Sequence, residues 1–478
     1  MDISNASALD LSRAIAAREL SAEELMRATL ARIAAVNPSV NAIVSLRDEE
    51  ALLAEARAAD ASAPRGWMHG LPLAVKDLAN AAGLPTSMGS PALSGSVAKR
   101  DDIMVARMRA AGTIVIGKTN TPEFGLGSHS YNPVFGVTRN PWDLTRSAGG
   151  SSGGAGAALA ARMVAIADGS DMMGSLRNPA VWNNVYGFRP TWGRIPADPE
   201  GDAFLHTLST LGPMARDPRD LAALLDTQSG PDANQPFHCP AMPVLPVLDD
   251  APGALRIGWL GDWGGAYAME PSLRTASATA VHQFEALGYD VEPLDPPFSA
   301  AALWDSWTTL RSWAVAAKLE PLYRTRPETL KPEAIWEIER GLKLGAMEIH
   351  RASVIRSDWF RKTVALFERF DALVLPATQC WPFPANWHWP KEIDGTTMDT
   401  YHRWMEVVIP VSLIGLPCVA LPAGFGETGL PHGVQLFGPK GSDARLLQIA
   451  EQWHRAQDWT ARWPTALRAG QDMGPQGG

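Results

Sequence analysis

A chain of 478 residues, 46% hydrophobic and 19% charged, has material for a large packed core, which argues against disorder as its main state. Length alone suggests about three domains, fewer if an α/β fold runs large as one unit. The net charge of −9 supplies no basic footprint, so nucleic acid is disfavoured as the main ligand.

The opening stretch, MDISNASALDLSRAIAAREL, alternates polar and apolar residues, so no signal peptide is expected. No run of about 18 apolar residues occurs anywhere, so no membrane span is expected and the chain reads as cytoplasmic. Ser21 opens a helix through a capping box with Glu24, and Leu25, Thr29, Ile33 and Val36 follow at near-helical spacing. Asn37-Pro38 is predicted to stop it. GLPLAVKDL, at 70–78, is a short apolar run bounded by Gly and Pro and predicts a buried strand. A helix over 102–112 and a β-branched strand over 113–120 come next. GAGAALAARM predicts a helix over 154–163, and VAIAD a short strand over 164–168. The proline-rich stretch 229–253 is either a domain linker or a surface crossover. The crossover is preferred because the strand-like segments on both sides look alike. Strands over 254–260, 371–377, 418–425 and 433–438 precede a helix over 443–457, and a frayed tail is expected over 466–478. Interleaved helices and strands predict an α/β fold whose sheet is covered on both faces.

Five serines crowd the segment SAGGSSGGAGAALAARMVAIADGSDMMGSLRNPA at 147–180. Gly149-Gly150-Ser151-Ser152-Gly153 matches the G-x-S-x-G nucleophile elbow, but the downstream histidines share no context that marks a base. A phosphate-binding loop is excluded by the missing Gly-Lys-Ser/Thr. A plain glycine turn with Ser151 or Ser152 as N-cap competes with both. Ser175 follows a run of backbone N–H groups, as acyl transfer requires. Lys76 sits inside an apolar strand, where burial would hold a lysine neutral and able to take a proton. The three cysteines, Cys239, Cys380 and Cys418, have no metal-ligand spacing and read as reduced thiols.

Taken together, GLPLAVKDLANAAGLPTSMGS, AGTIVIGKTNTPEFGLGS, NPVFGVTRNPWDLTRSAGGSSGGAGAALAA, GSDMMGSLRNPA and YGFRPTWGRIP resemble the amidase signature family. PVSLIGLPCVALPAGFGETGLPHGVQLFG resembles its C-terminal strands. The lysine and both serine segments occur in the family's order, with Ser175 24 residues after Ser151. The resemblance implies one domain over 5–465 around a large mixed β-sheet with helices on both faces. It implies a helical part over about 5–65 and a variable substrate-channel part over about 295–410. It makes Ser175 the nucleophile, Ser151 the relay serine on a cis peptide bond, and Lys76 the base. Backbone amides of Met172, Met173, Gly174 and Ser175 would form the oxyanion hole, with Asp171, Arg177 and Ser152 as loop support. No metal or organic cofactor is implied.

The family usually reads Asp-Thr-Gly-Gly-Ser where this chain reads Asp-Met-Met-Gly-Ser, so Met173 would be strained if that position needs positive φ. The expected activity is hydrolysis of a carbon–nitrogen bond by a monomer or homodimer acting on a small-molecule amide, carbamate or ester. The alternatives are the catalytic subunit of a glutamine-dependent tRNA amidotransferase and an inactive, binding-only homologue. In the amidotransferase, an Asp five residues before the proline of IPVNLAGLP reads the glutamine amino group; before Pro410 the matching residue is Met405, which disfavours glutamine. Nine of 18 tryptophans lie between Trp304 and Trp404, and CWPFPANWHWPKEIDG (380–395) predicts an aromatic loop. Trp387 and Trp389, with Met172 and Met173 opposite, are therefore expected to line a pocket for aryl amides or aryl carbamates.

Overall fold

The computed structural model describes residues 2–198, 201–464 and 467. A small sheet is built from β1 (Ile43–Val44), β2 (Pro72–Lys76) and β3 (Ile114–Thr119), in the order β1-β3-β2. β2 runs parallel to β3, and β1 antiparallel to it. A larger sheet of eight strands comprises β4 (Ile166–Asp171), β5 (Tyr186–Arg189), β6 (Thr210–Ala215), β7 (Arg256–Trp259), β8 (Asp290–Pro293), β9 (Ala372–Pro376), β10 (Cys418–Phe425) and β11 (Pro431–Phe437). Its order is β8-β7-β9-β11-β10-β5-β6-β4, with β8, β7 and β9 parallel and the remaining pairs antiparallel.

Alternate residues of these strands enter two separate cores, because successive side chains of a strand point to opposite faces. Leu373, Leu375, Cys418 and Ala420 join one core, with the helices Ala22–Val40, Ala300–Thr325 and Ala346–Leu366. Ala372, Val374, Val419 and Leu421 join the other, with Ile103–Ala110, Pro218–Gln228, Pro271–Ala286 and Asp443–Ala456. The sheet is mixed and covered on both faces.

The predicted stop at Asn37-Pro38 is displaced. The helix starts at the Ser21 capping box but continues through Pro38 to Val40. A proline in the last turn removes only one donor; the helix ends instead where Asn41 takes φ +56° and Asn37 Oδ1 accepts the N–H groups of Ala42 and Ile43, both at 2.9 Å. The proline-rich stretch 229–253 carries one short turn, Leu245–Val247, and its flanking strands β6 and β7 belong to the same sheet. The tail expected to fray lies outside the described residues, except Leu467, which is buried. Among the described residues no helix is long and apolar enough to cross a membrane.

Candidate active site

β2 ends on Lys76, which is buried, and the neighbouring strand β4 and the serine turn close around its head group. Lys76 Nζ lies 2.8 Å from Ser151 Oγ, 2.8 Å from Ser152 Oγ and 3.0 Å from Ser170 Oγ, with the Ser170 carbonyl at 3.4 Å. Burial pushes the lysine down to about 7, against the opposing pull of Asp168 and Asp171. At neutral pH a large fraction is therefore an uncharged amine held against three hydroxyls. The Gly150–Ser151 peptide bond is cis, and the Ser128 hydroxyl donates to the Gly150 carbonyl. The Ser152 N–H donates to the Ser175 carbonyl at 3.3 Å, which brings the two serine segments together.

The turn after β4 carries Ser175. Asp171 caps it from within: its carboxylate accepts from the N–H groups of Gly174 at 2.9 Å and Leu176 at 3.1 Å. Arg177 adds two hydrogen bonds to Asp171, each 3.0 Å, and Arg189 Nη1 lies 2.9 Å away. Burial alone would raise the Asp171 carboxyl, but the Arg177 and Arg189 guanidiniums hold it well below the usual carboxylate range. Arg177 also reaches Gln435 on β11 at 2.6 Å and Ser412 at 2.6 Å, so the turn is tied to distant parts of the chain. Gly174 takes φ +79°, whereas Met173 lies outside the left-handed region. A side chain at Gly174 would also press within 3.0 Å of Val408, so the glycine is required at 174 and the methionine at 173 fits without backbone strain. With the Gly174 N–H occupied by Asp171, the amides of Met172, Met173 and Ser175 are the donors left for an oxyanion.

Two groups at this site were not anticipated from the chain alone, Ser170 and Asp168. Both Asp168 carboxylate oxygens accept the Lys76 main-chain N–H, at 3.1 and 3.2 Å. The signal was present: polar residues at i and i+2 of an otherwise buried strand, IADGSD, share one face.

The two tryptophans of the 380–395 loop part company. The loop is pinned to the 143–147 strand by Ser147 N–H to the Phe383 carbonyl and Ala385 N–H to the Thr145 carbonyl, both 2.8 Å. Trp389 is half-buried, its ring 6.5 Å from that of Tyr401. Tyr401 Oη accepts from Arg311 at 2.8 Å, and Arg311 Nη1 lies 3.4 Å from Met172 Sδ. A chain of contacts thus runs from Trp389 to the turn that carries Ser175. Trp387 stands 48% exposed. Met173 is buried and Met172 half-buried.

A sequence model of the Amidase family matches residues 24–447. A glutamyl-tRNA(Gln) amidotransferase chain of Symbiobacterium thermophilum is 34% identical over 475 residues, covering 93% of this chain and 95% of the relative. Among solved structures, a bacterial aryl acylamidase of the amidase signature enzymes superposes with a TM-score of 0.89 at 26% identity, covering 95% of this chain and 97% of that one. A 6-aminohexanoate cyclic dimer hydrolase superposes at 0.87 with 30% identity, covering 98% and 100%. The chain, with a buried lysine against a serine turn and this match across most of its length, belongs to the amidase signature family.

Proposed function

We propose that the chain is a stand-alone amidase that cleaves carbon–nitrogen bonds through an acyl-enzyme, as one domain over 5–465. The observation that carries the proposal is the buried amine of Lys76, 2.8 Å from Ser151 and pushed down to about 7. Neutral Lys76 takes a proton from Ser151, which takes one from Ser175. Ser175 then attacks the carbonyl, and amides of the Met172–Ser175 turn receive the negative oxygen; Gly174 joins them only if it leaves Asp171. An amine is a poor leaving group unless protonated, and the same relay run backwards returns the proton to it. Water then enters by the same route and releases the acid.

For the substrate we propose a bulky aryl amide or aryl carbamate, with esters as side substrates. Trp389, Tyr401 and Met172 supply apolar surface leading to the nucleophile turn, and Trp387 belongs to the outer rim. The likeness to an aryl acylamidase fold supports this choice without specifying it. A second reading, one chain of a tRNA amidotransferase, is favoured by the 34% identity to the Symbiobacterium thermophilum relative. Against it stands Met405, a buried thioether where the resemblance implies an acid reading the glutamine amino group. The test is the purified chain alone, given an anilide, an aryl carbamate, acetamide and glutamine. Hydrolysis of the first two at least about tenfold faster in kcat/KM supports the proposal. Glutamine cleaved fastest, or only with partner chains and tRNA, favours the second reading.

A further inference from the structure

Asp168 holds the main chain of the lysine whose head group meets the serines. β4 places Asp168 and Ser170 two residues apart, on one face of the strand. Asp168 accepts the Lys76 main-chain N–H through both oxygens, and Ser170 Oγ meets the Lys76 head group at 3.0 Å. One strand of the large sheet therefore grips both ends of a residue that belongs to the small sheet. The charges around this grip come from three strands. β2 supplies Lys76 and is followed by Asp77; β3 supplies Lys118, whose Nζ lies 3.8 Å from Asp77 and 3.2 Å from Thr86 Oγ1. β4 ends on Asp171, already offset by Arg177 and Arg189. Asp102 acts on Lys118 from farther off. Asp171 and Asp77 each have a close cationic partner, so Asp168 is the carboxylate whose charge falls on Lys76 and Lys118 together.

We propose that Asp168 is a positioning residue, which fixes the Lys76 main chain against the serines and sets, by its charge, the pH above which Lys76 serves as a base. This rests on the reading of Lys76 as the base. Burial raises the Asp168 carboxyl to about 6, so above that pH it is an anion, and its charge opposes the loss of the Lys76 proton. Removing that charge must let Lys76 deprotonate at lower pH.

The test is the rate at which a fluorophosphonate labels Ser175 in the full chain, followed against pH, a readout that needs no substrate. Asp168→Asn keeps one acceptor for the Lys76 N–H and is expected to move the midpoint down by about one pH unit, and Asp168→Glu to restore it. Asp168→Ser, which also keeps an acceptor without the charge, is expected to move it down as well. A merely structural role would lower the rate without moving either midpoint, so a folded Asp168→Asn with the wild-type midpoint overturns the proposal. If that variant does not fold, Asp168→Ser decides: a downward shift supports the proposal, and no shift or an upward one overturns it. A wild-type labelling rate that survives Lys76→Ala unchanged would overturn the base assignment itself, and this inference with it, before any Asp168 variant is compared.

Discussion

In the proposed mechanism Lys76 carries the chemistry, and it is placed where an ammonium is poorly solvated. Its neighbours are hydroxyls, which can accept from a cation but equally donate to a neutral amine. The proposed division of roles predicts that a fluorophosphonate labels the peptide containing Ser175 and that Ser175→Ala abolishes labelling. Ser151→Ala should slow amide hydrolysis by on the order of 10³-fold, because the base is then cut off from the nucleophile. Mass spectrometry that found the adduct on Ser151 would revive the elbow interpretation. The pH dependence follows from the lysine. With the folded value near 7, activity should rise as pH passes through 7 and level off above it. Stability should move the same way. Between about 7 and the usual lysine value near 10.5 the unfolded chain binds a proton that the folded chain does not, so stability grows with pH across that window. Below about 7 both states are protonated and the folded state bears the full cost of the buried charge. Lys76→Met should therefore raise Tm more at pH 6 than at pH 9 while abolishing activity. An equal gain at both pH values would show that Lys76 is not proton-linked to folding.

Among elements, the helix Gly153–Ala160 decides how closely the serine turn can approach β3 and its neighbours. Every residue in it is buried and none is larger than leucine. A methyl group at Gly154 would lie 2.6 Å from the Asn120 carbonyl oxygen and 2.7 Å from that of Ala42. Both obstacles are backbone and cannot rotate away. Gly154→Ala is accordingly expected to cost about 1–3 kcal/mol in urea denaturation and to lower activity by displacing Ser151 and Ser152. A variant as stable as wild type would mean that the helix can shift. The 380–395 loop invites a different comparison. Trp389→Ala should reduce the preference for aryl over small aliphatic amides by about tenfold, with Ser175 labelling intact. Trp387→Ala, at a side chain nearly half in solvent, should change it little. A reversed order of effects would move the pocket to the outer side of the loop.

Across the whole molecule, the turn that carries Ser175 is held by groups that come from far along the chain. Asp171 ends β4, Arg189 ends β5, and Arg177 reaches both Gln435 on β11 and the Val408 carbonyl. All three charged side chains are fully buried. Such a cluster is costly to assemble but far costlier to break, because the remaining charge is stranded in a medium that solvates it poorly. Arg189→Met should thus destabilise the protein by about 3 kcal/mol or more, even though the substituted side chain lies outside the proposed triad. Calorimetry showing an unchanged Tm would mean that Arg177 alone satisfies Asp171. The two cores on either face of the sheet make the same point: the site forms only when strands from opposite ends of the chain are assembled.

The sequence by itself determined the alternation of helices and strands, the buried setting of Lys76 and the glycine-bracketed serines, because these follow from local apolar patterning and residue size. It also carried the family resemblance that singled out Ser175 over the G-x-S-x-G serine, a choice that local patterning left open. Helix ends were less legible: Pro38 looked like a stop, but the end was set by Asn37 bonding to the start of the following strand and by Asn41 turning into the left-handed region. Only the tertiary structure decided which residues face the lysine. Ser170 and Asp168 lie more than 90 positions from Lys76 and meet it because β4 lies beside β2. Likewise, Trp387 and Trp389 stand two residues apart on an irregular loop, where no period assigns a side; packing against Tyr401 turned Trp389 inward and left Trp387 exposed. Spacing along a chain sorts side chains by face only where the backbone repeats, and the parts of this site that come from loops and from neighbouring strands have no such repeat.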